Sequence, residues 1–118
     1  MVYWRNVNDV EAYSPPAHGG TFNRRLVGPS DGIEHMEVII GEMEPGGDAD
    51  PHFHEDLEQV MYILTGEMYV KIEGEEAVLG EGDVVIIPKK AMHEVKNVGS
   101  TNLRFVLMYS PPKVAMES

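Results

Sequence analysis

The stretch LTGEMYVKIEGEEAVLGEGDVVIIP, residues 64–88, decides the fold class. Three turn signals punctuate it: LTGE (64–67), EGEE (73–76) and GEGD (80–83). Within EMYVKIE (67–73), Met68, Val70 and Ile72 alternate with Glu67, Tyr69, Lys71 and Glu73. Side chains on a strand alternate faces, so this run has one buried face and one wet face. VVII (84–87) is apolar throughout and reads as an interior strand covered on both sides.

The same rhythm continues outward. From Phe22 onward, short runs rich in Val, Ile, Tyr and Met are separated by turn signals at PSDG (29–32), EPGGD (44–48) and NVGS (97–100). Spacing this short and regular predicts an all-β sandwich or barrel, and no long helical periodicity competes with it. The last strand, NLRFVLMY (102–109), stops where Ser110 precedes Pro111 and Pro112, because proline cannot donate to a ladder; residues 110–118 then read as a loose tail. Residues 1–21 form an N-terminal arm, with SPPAHGG (14–20) as a loop and, before it, at most one short helical turn capped by Asn8. Among the eight methionines, Met61 and Met68 read as adaptable core filler.

A chain of 118 residues fits one domain, and no repeat or linker divides it. Its 20 acidic and 9 basic residues give a net charge of -11, which would repel a phosphate backbone and excludes nucleic acid as a partner. No run approaches the roughly 20 apolar residues that span a bilayer, and the start, MVYWRNVNDVEAY, lacks the order of a signal peptide. A soluble, cytoplasmic protein with no membrane partner is expected. With no cysteine present, any metal must be held by histidine, carboxylate, amide or water.

Such donors cluster in PHFHEDLEQVMYILTG, residues 51–66. Residues two apart on an extended strand face the same way, so the rings of His52 and His54 can converge on one ion. Glu58 or Gln59 follows shortly after, and His93 lies beyond a Gly-Asp turn and a proline. Three imidazoles and one oxygen donor would make an open transition-metal site.

On these residues the sequence resembles the cupin family. Gly46, His52, His54 and Gly66 match the first cupin motif; Gly82, Pro88, His93 and Asn97 match the second. Lys90 stands where the family has a second glycine, a departure that bears on a turn rather than on a ligand. The resemblance implies a double-stranded β-helix, or jelly roll, with residues 1–118 as one domain and a barrel core at about 22–109. It also implies one divalent transition-metal ion per chain (manganese, iron, nickel, zinc, cobalt or copper), a small-molecule substrate, and a homodimer made by exchanging or stacking an end strand.

Counting within the motif selects Gln59 over Glu58, because six residues separate Gln59 from Gly66. Alternation agrees: Gln59, Met61 and Ile63 share one face, Glu58, Val60 and Tyr62 the other. The expected ligands are thus His52, His54, Gln59 and His93, with Glu58 left to move a proton. A neutral amide leaves the ion its full charge and makes it a stronger Lewis acid.

Other candidates lie outside the motifs. Adjacent strand residues point to opposite faces, so at most one of Arg24 and Arg25 faces the barrel, where it could bind a substrate carboxylate; Arg24 is the candidate, with surface ion pairing the competing fate. His18 and His35 read as exposed or structural, and Tyr62 and Phe105 as core or pocket lining. No GxSxG or phosphate loop is present. The expected function is a metal-dependent enzyme acting on a small oxygen-rich molecule, a keto acid or sugar acid, by Lewis-acid and proton-transfer chemistry such as isomerisation. The alternatives are an O2-dependent dioxygenase and a non-enzymatic metal- or sugar-binding module.

Overall fold

The computed structural model describes residues 3–113; within the expected tail, residues 114–118 lie outside the described residues. Nine strands form in chain order: β1 (Thr21–Val27), β2 (Glu37–Met43), β3 (Asp48–His52), β4 (Glu58–Thr65), β5 (Met68–Ile72), β6 (Glu75–Leu79), β7 (Val84–Ile87), β8 (His93–Asn97) and β9 (Leu103–Ser110). Two antiparallel sheets result, ordered β1-β2-β9-β4-β7 and β3-β8-β5-β6. Their facing sides enclose the core, which includes Ile39, Met61, Ile63, Met68, Val70, Val95 and Leu103. This is the all-β architecture expected from the strand and turn pattern, and the jelly roll that the cupin resemblance implies. Met68 and Val70 are buried and Lys71 is exposed, and Met61 and Met68 are core residues as read.

VVII departs from expectation. β7 is an edge strand, paired with β4 alone, so only Val85 and Ile87 face the core, while Val84 and Ile86 are 51% and 69% exposed. The short turn near the N-terminus spans Val7–Asp9 and is capped by Asn6, whose side chain accepts from the Asn8 N–H at 2.9 Å, rather than by Asn8. The beginning of the tail is also held, for Pro112 is buried and the Lys113 N–H donates to Glu37 Oε1 at 3.0 Å.

Two details tie the sheets to each other and to the site. Asn97 is buried; its Nδ2 donates to the carbonyls of Met43 and Thr101, each at 2.9 Å, and its Oδ1 accepts from the Gly99 N–H at 2.9 Å. It thereby joins β8 to β2 across the barrel. Lys90 occupies the left-handed region at φ 67°, the conformation a glycine would take without strain, and its N–H donates to the His54 carbonyl at 2.7 Å. The turn before β8 therefore pins the segment that carries His54.

Candidate metal centre

β3 and β8 pair so that His52 lies opposite His93. Their ring centroids are 4.2 Å apart, His52 and His54 are 4.9 Å apart, and His54 and His93 are 5.3 Å apart. One ring nitrogen from each of the three lies within 4.8 Å of the other two. Two of the rings are oriented by backbone two residues upstream: His52 Nδ1 lies 2.6 Å from the Asp50 carbonyl and His93 Nδ1 2.9 Å from that of Ala91. A proton on Nδ1 satisfies each carbonyl and leaves the Nε2 lone pair for an ion, the backbone-anchored arrangement usual for ligating histidines.

Gln59 comes from the opposing sheet, on β4 between Ile87 of β7 and Tyr109 of β9, and it is buried. Gln59 Oε1, His54 Nε2 and His93 Nε2 are buried without a hydrogen-bond partner. Buried polar atoms are rarely left so, and three lone pairs gathered at one place suit a cation. Burial, reinforced by the nearby charges of His52, His93 and Lys113 and opposed by the Gln59 amide, lowers the pKa of His54 to about 4. Burial likewise lowers that of His93, against the pull of the Ala91 carbonyl. Both rings are therefore neutral near pH 7, the form that binds metal. The donor set fits a divalent transition ion.

His52, His93 and Gln59 line a pocket between the sheets. Ile39, Met61, Phe105 and Leu107 give it an apolar floor, and Thr21, Asn23 and Arg25, alternate residues of β1, give it a polar wall. Phe105 is thus both core and lining, whereas Tyr62 is exposed on the outer face. Beside the wall lies Glu37, fully buried, which accepts from Arg25 Nε at 2.5 Å. Arg25 Nη2 donates to the Tyr13 hydroxyl at 3.1 Å, and the guanidinium stands 4.9 Å from that ring's centroid.

Glu58 and Arg24 fall elsewhere. Strand alternation turns Glu58 outward, where it is exposed and lines no part of the pocket. Arg24 likewise points away from the pocket, with Nη1 3.9 Å from Glu42 Oε2. Of the two arginines it is Arg25 that faces inward.

His18, Asn23 and Glu37 belong to the pocket although no sequence motif marks them. His18 lies edge-on to His52 with centroids 5.6 Å apart, and its Nδ1 is 2.6 Å from the Pro16 carbonyl. Its loop is brought there by backbone pairing, Asp48 N–H to Gly19 O at 3.0 Å and Asp50 N–H to Ala17 O at 3.3 Å. The available signal was in TFNRRLV (21–27), where a strand of the barrel carries polar residues at every inward position up to 25. His35 is exposed beside Glu34, as expected.

Two antiparallel sheets that gather three imidazoles and an amide at one end of an interior pocket define a small β-barrel protein with a candidate metal site. Residues 39–109 match the family model of the cupin domain, and the chain belongs to the cupin family. It is 25% identical over 104 residues to the tetracenomycin polyketide synthase protein TcmJ of Streptomyces glaucescens, covering 86% of this chain and 69% of that one. It is 32% identical over 77 residues to the pectin degradation protein KdgF of Dickeya dadantii, covering 65% of this chain and 67% of that one. The solved structure of KdgF from Halomonas sp. superposes with a TM-score of 0.84 at 20% identity, over 98% of this chain and 99% of that one, a likeness of fold. Among the described residues no helix is long and apolar enough to cross a membrane.

Proposed function

We propose that this cupin is a metal-dependent enzyme acting on a small oxygen-rich molecule of the keto-acid or sugar-acid kind, by proton-transfer chemistry such as isomerisation. The observation that carries this reading is the clustering of His52, His54 and His93 with Gln59 beside His54 at the edge of a pocket lined by His52, His93 and Gln59, with three of these four residues' donor atoms buried and unpartnered. A divalent ion held by four neutral donors keeps its full charge and polarises a carbonyl, hydroxyl or carboxylate oxygen. His18 is placed to take the proton: with Nδ1 occupied by the Pro16 carbonyl, Nε2 is its acceptor atom, and burial keeps the ring neutral near pH 7. The apolar floor excludes water from the reacting carbon. A relative that takes part in pectin degradation is in keeping with a sugar-acid substrate.

The test is elemental analysis of protein purified without added metal, with NMR assays of uronates and keto acids in air and under nitrogen. Wild type and Glu58→Gln are expected to carry about one ion per chain, Gln59→Ala to lose most of it, and turnover to continue without oxygen. Metal kept by Gln59→Ala and lost by Glu58→Gln would overturn the ligand set. A strict oxygen requirement would replace isomerisation with dioxygenase chemistry.

We also propose a homodimer formed on the outer face of β4 and β7, where Tyr62, Val84 and Ile86 are 41%, 51% and 69% exposed side by side. An uninterrupted apolar patch on a sheet edge calls for a partner, and a second copy presents the same apolar chemistry.

A further inference from the structure

Outside the candidate metal ligands, Asn23 is a pocket residue with a polar atom that the described residues leave unused. Its backbone is fully occupied, N–H donating to Tyr13 O at 2.7 Å and C=O accepting from Tyr13 N–H at 2.8 Å. Its side chain lines the pocket, is 6% exposed, and carries an Oδ1 buried with no hydrogen-bond partner. None of the hydrogen bonds made by its neighbours among the described residues reaches Oδ1. Across the ladder stands Gly41, flanked by Ile39 and Met43, while the Thr21 hydroxyl is directed to Gly19 O and Arg25 Nε to Glu37. A leucine has the same branching without the polar atoms, and replacing an unsatisfied buried amide by an apolar group of that shape can be neutral or stabilising. The amide is retained at a cost in stability, which is the mark of a group kept for an occupant.

The occupant's chemistry follows from the two ends of the pocket. Oδ1 requires a donor, and a hydroxyl meets that need without the positive charge that an ammonium would bring beside the histidine cluster and Lys113. Asn23 on β1 and Gln59 on β4 line the same pocket from strands separated by β2 and β9. An occupant that meets both residues is longer than a two-carbon acid. We propose that Asn23 is a specificity-determining residue that accepts a hydroxyl hydrogen bond from a sugar-sized, hydroxylated carboxylic acid whose oxygen end lies at the histidine cluster. This rests on the metal-centre reading above.

The experiment is calorimetric titration of manganese-loaded wild type and Asn23→Leu with D-galacturonate and with cyclohexanecarboxylate, which has the ring and the acid without the hydroxyls. Wild type should prefer galacturonate by about tenfold or more, the worth of a buried hydrogen bond. Asn23→Leu should lose that preference, leave cyclohexanecarboxylate and manganese binding unchanged, and melt no lower than wild type when ligand-free. Asn23→Ala, which removes the amide without adding volume, carries the same comparison if the leucine variant does not fold. Equal binding of the two acids by wild type, no binding of galacturonate, a preference surviving in both variants, or a melting temperature lowered as a structural amide would demand each overturns the proposal. Failure of wild type to bind manganese overturns the metal reading instead, and Asn23 is then judged by the same preference in the metal-free protein.

Discussion

Removing the Arg25 side-chain charge should cost far more than removing that of its neighbour Arg24, although the two sit side by side in sequence. Glu37 is fully buried and its carboxylate has two partners, Arg25 Nε at 2.5 Å and the Lys113 N–H at 3.0 Å. Arg25→Met keeps much of the aliphatic stem but removes the guanidinium from a fully buried carboxylate. Breaking a buried pair from one side costs about 3–5 kcal/mol. Because the Arg25 side chain is 36% exposed, water can partly replace it, and the lower end, about 3 kcal/mol, is the expected loss. At about 4 °C per kcal/mol for a chain of this size, the melting temperature should fall by about 12 °C. Arg24 and Glu42 are about one-third exposed and 3.9 Å apart, so Arg24→Met should cost about 0–1 kcal/mol. Arg25→Met combined with Glu37→Gln should recover most of the loss, since no buried charge is then unpaired. Urea titrations followed by circular dichroism measure all four proteins. If Arg25→Met and Arg24→Met fall within 1 kcal/mol of each other, the argument that the pocket wall rests on a buried ion pair is refuted.

Two further outcomes are expected. By light scattering during gel filtration, wild type should have twice the 13.1 kDa chain mass and Ile86→Lys the mass of a single chain, because a lysine on β7 places a charge in the proposed interface; a monomeric wild type removes the dimer proposal. The metal-free protein should lose stability as pH falls from 6.5 toward about 4, the window between the ordinary pKa of His54 and its value in the fold. There the unfolded chain binds more protons than the folded one, so unfolding becomes easier with acid and the loss levels off below pH 4. The drop in pKa sets a ceiling of about 3 kcal/mol, reduced to about 1–2 because the ring keeps some access to water. His54→Asn should flatten the pH dependence of urea midpoints in that window, and an unchanged slope would count against it.

The strand pattern was legible where one face meets the core and the other meets water, as in EMYVKIE. It misled at VVII for a definite reason. An apolar run suggests that both faces avoid water, but on an edge strand only one face meets the core, and here Val84 and Ile86 are exposed on the other. Parity failed at β1 for a different reason. Phe22 and Leu26 suggest one inward face, yet Thr21, Asn23 and Arg25 point inward because they line a cavity instead of packing against the core. Of the candidate site, the histidines were legible through their spacing, and Gln59 through its place in the motif. His18 was not, because it reaches the pocket through loop-to-strand pairing that has no local sequence signature.

Lys90 and Gln59 bear on the site in different ways. At Lys90 the family's glycine supplies a backbone conformation, and the lysine adopts it at φ 67°, at a cost of roughly 1–2 kcal/mol. Everything the turn does for the site is then done by backbone: Lys90 N–H holds His54 O at 2.7 Å, and the Ala91 carbonyl stands 2.9 Å from His93 Nδ1. A side chain that only decorates a turn can change as long as the φ angle is met. At position 59 the side chain lies beside His54, and in the proposed ligand set an amide where a carboxylate could stand would change the charge of the donors. The Lys90 departure therefore falls on stability. Gln59 falls on chemistry, and it is at this position that variants will show what the centre is built to do.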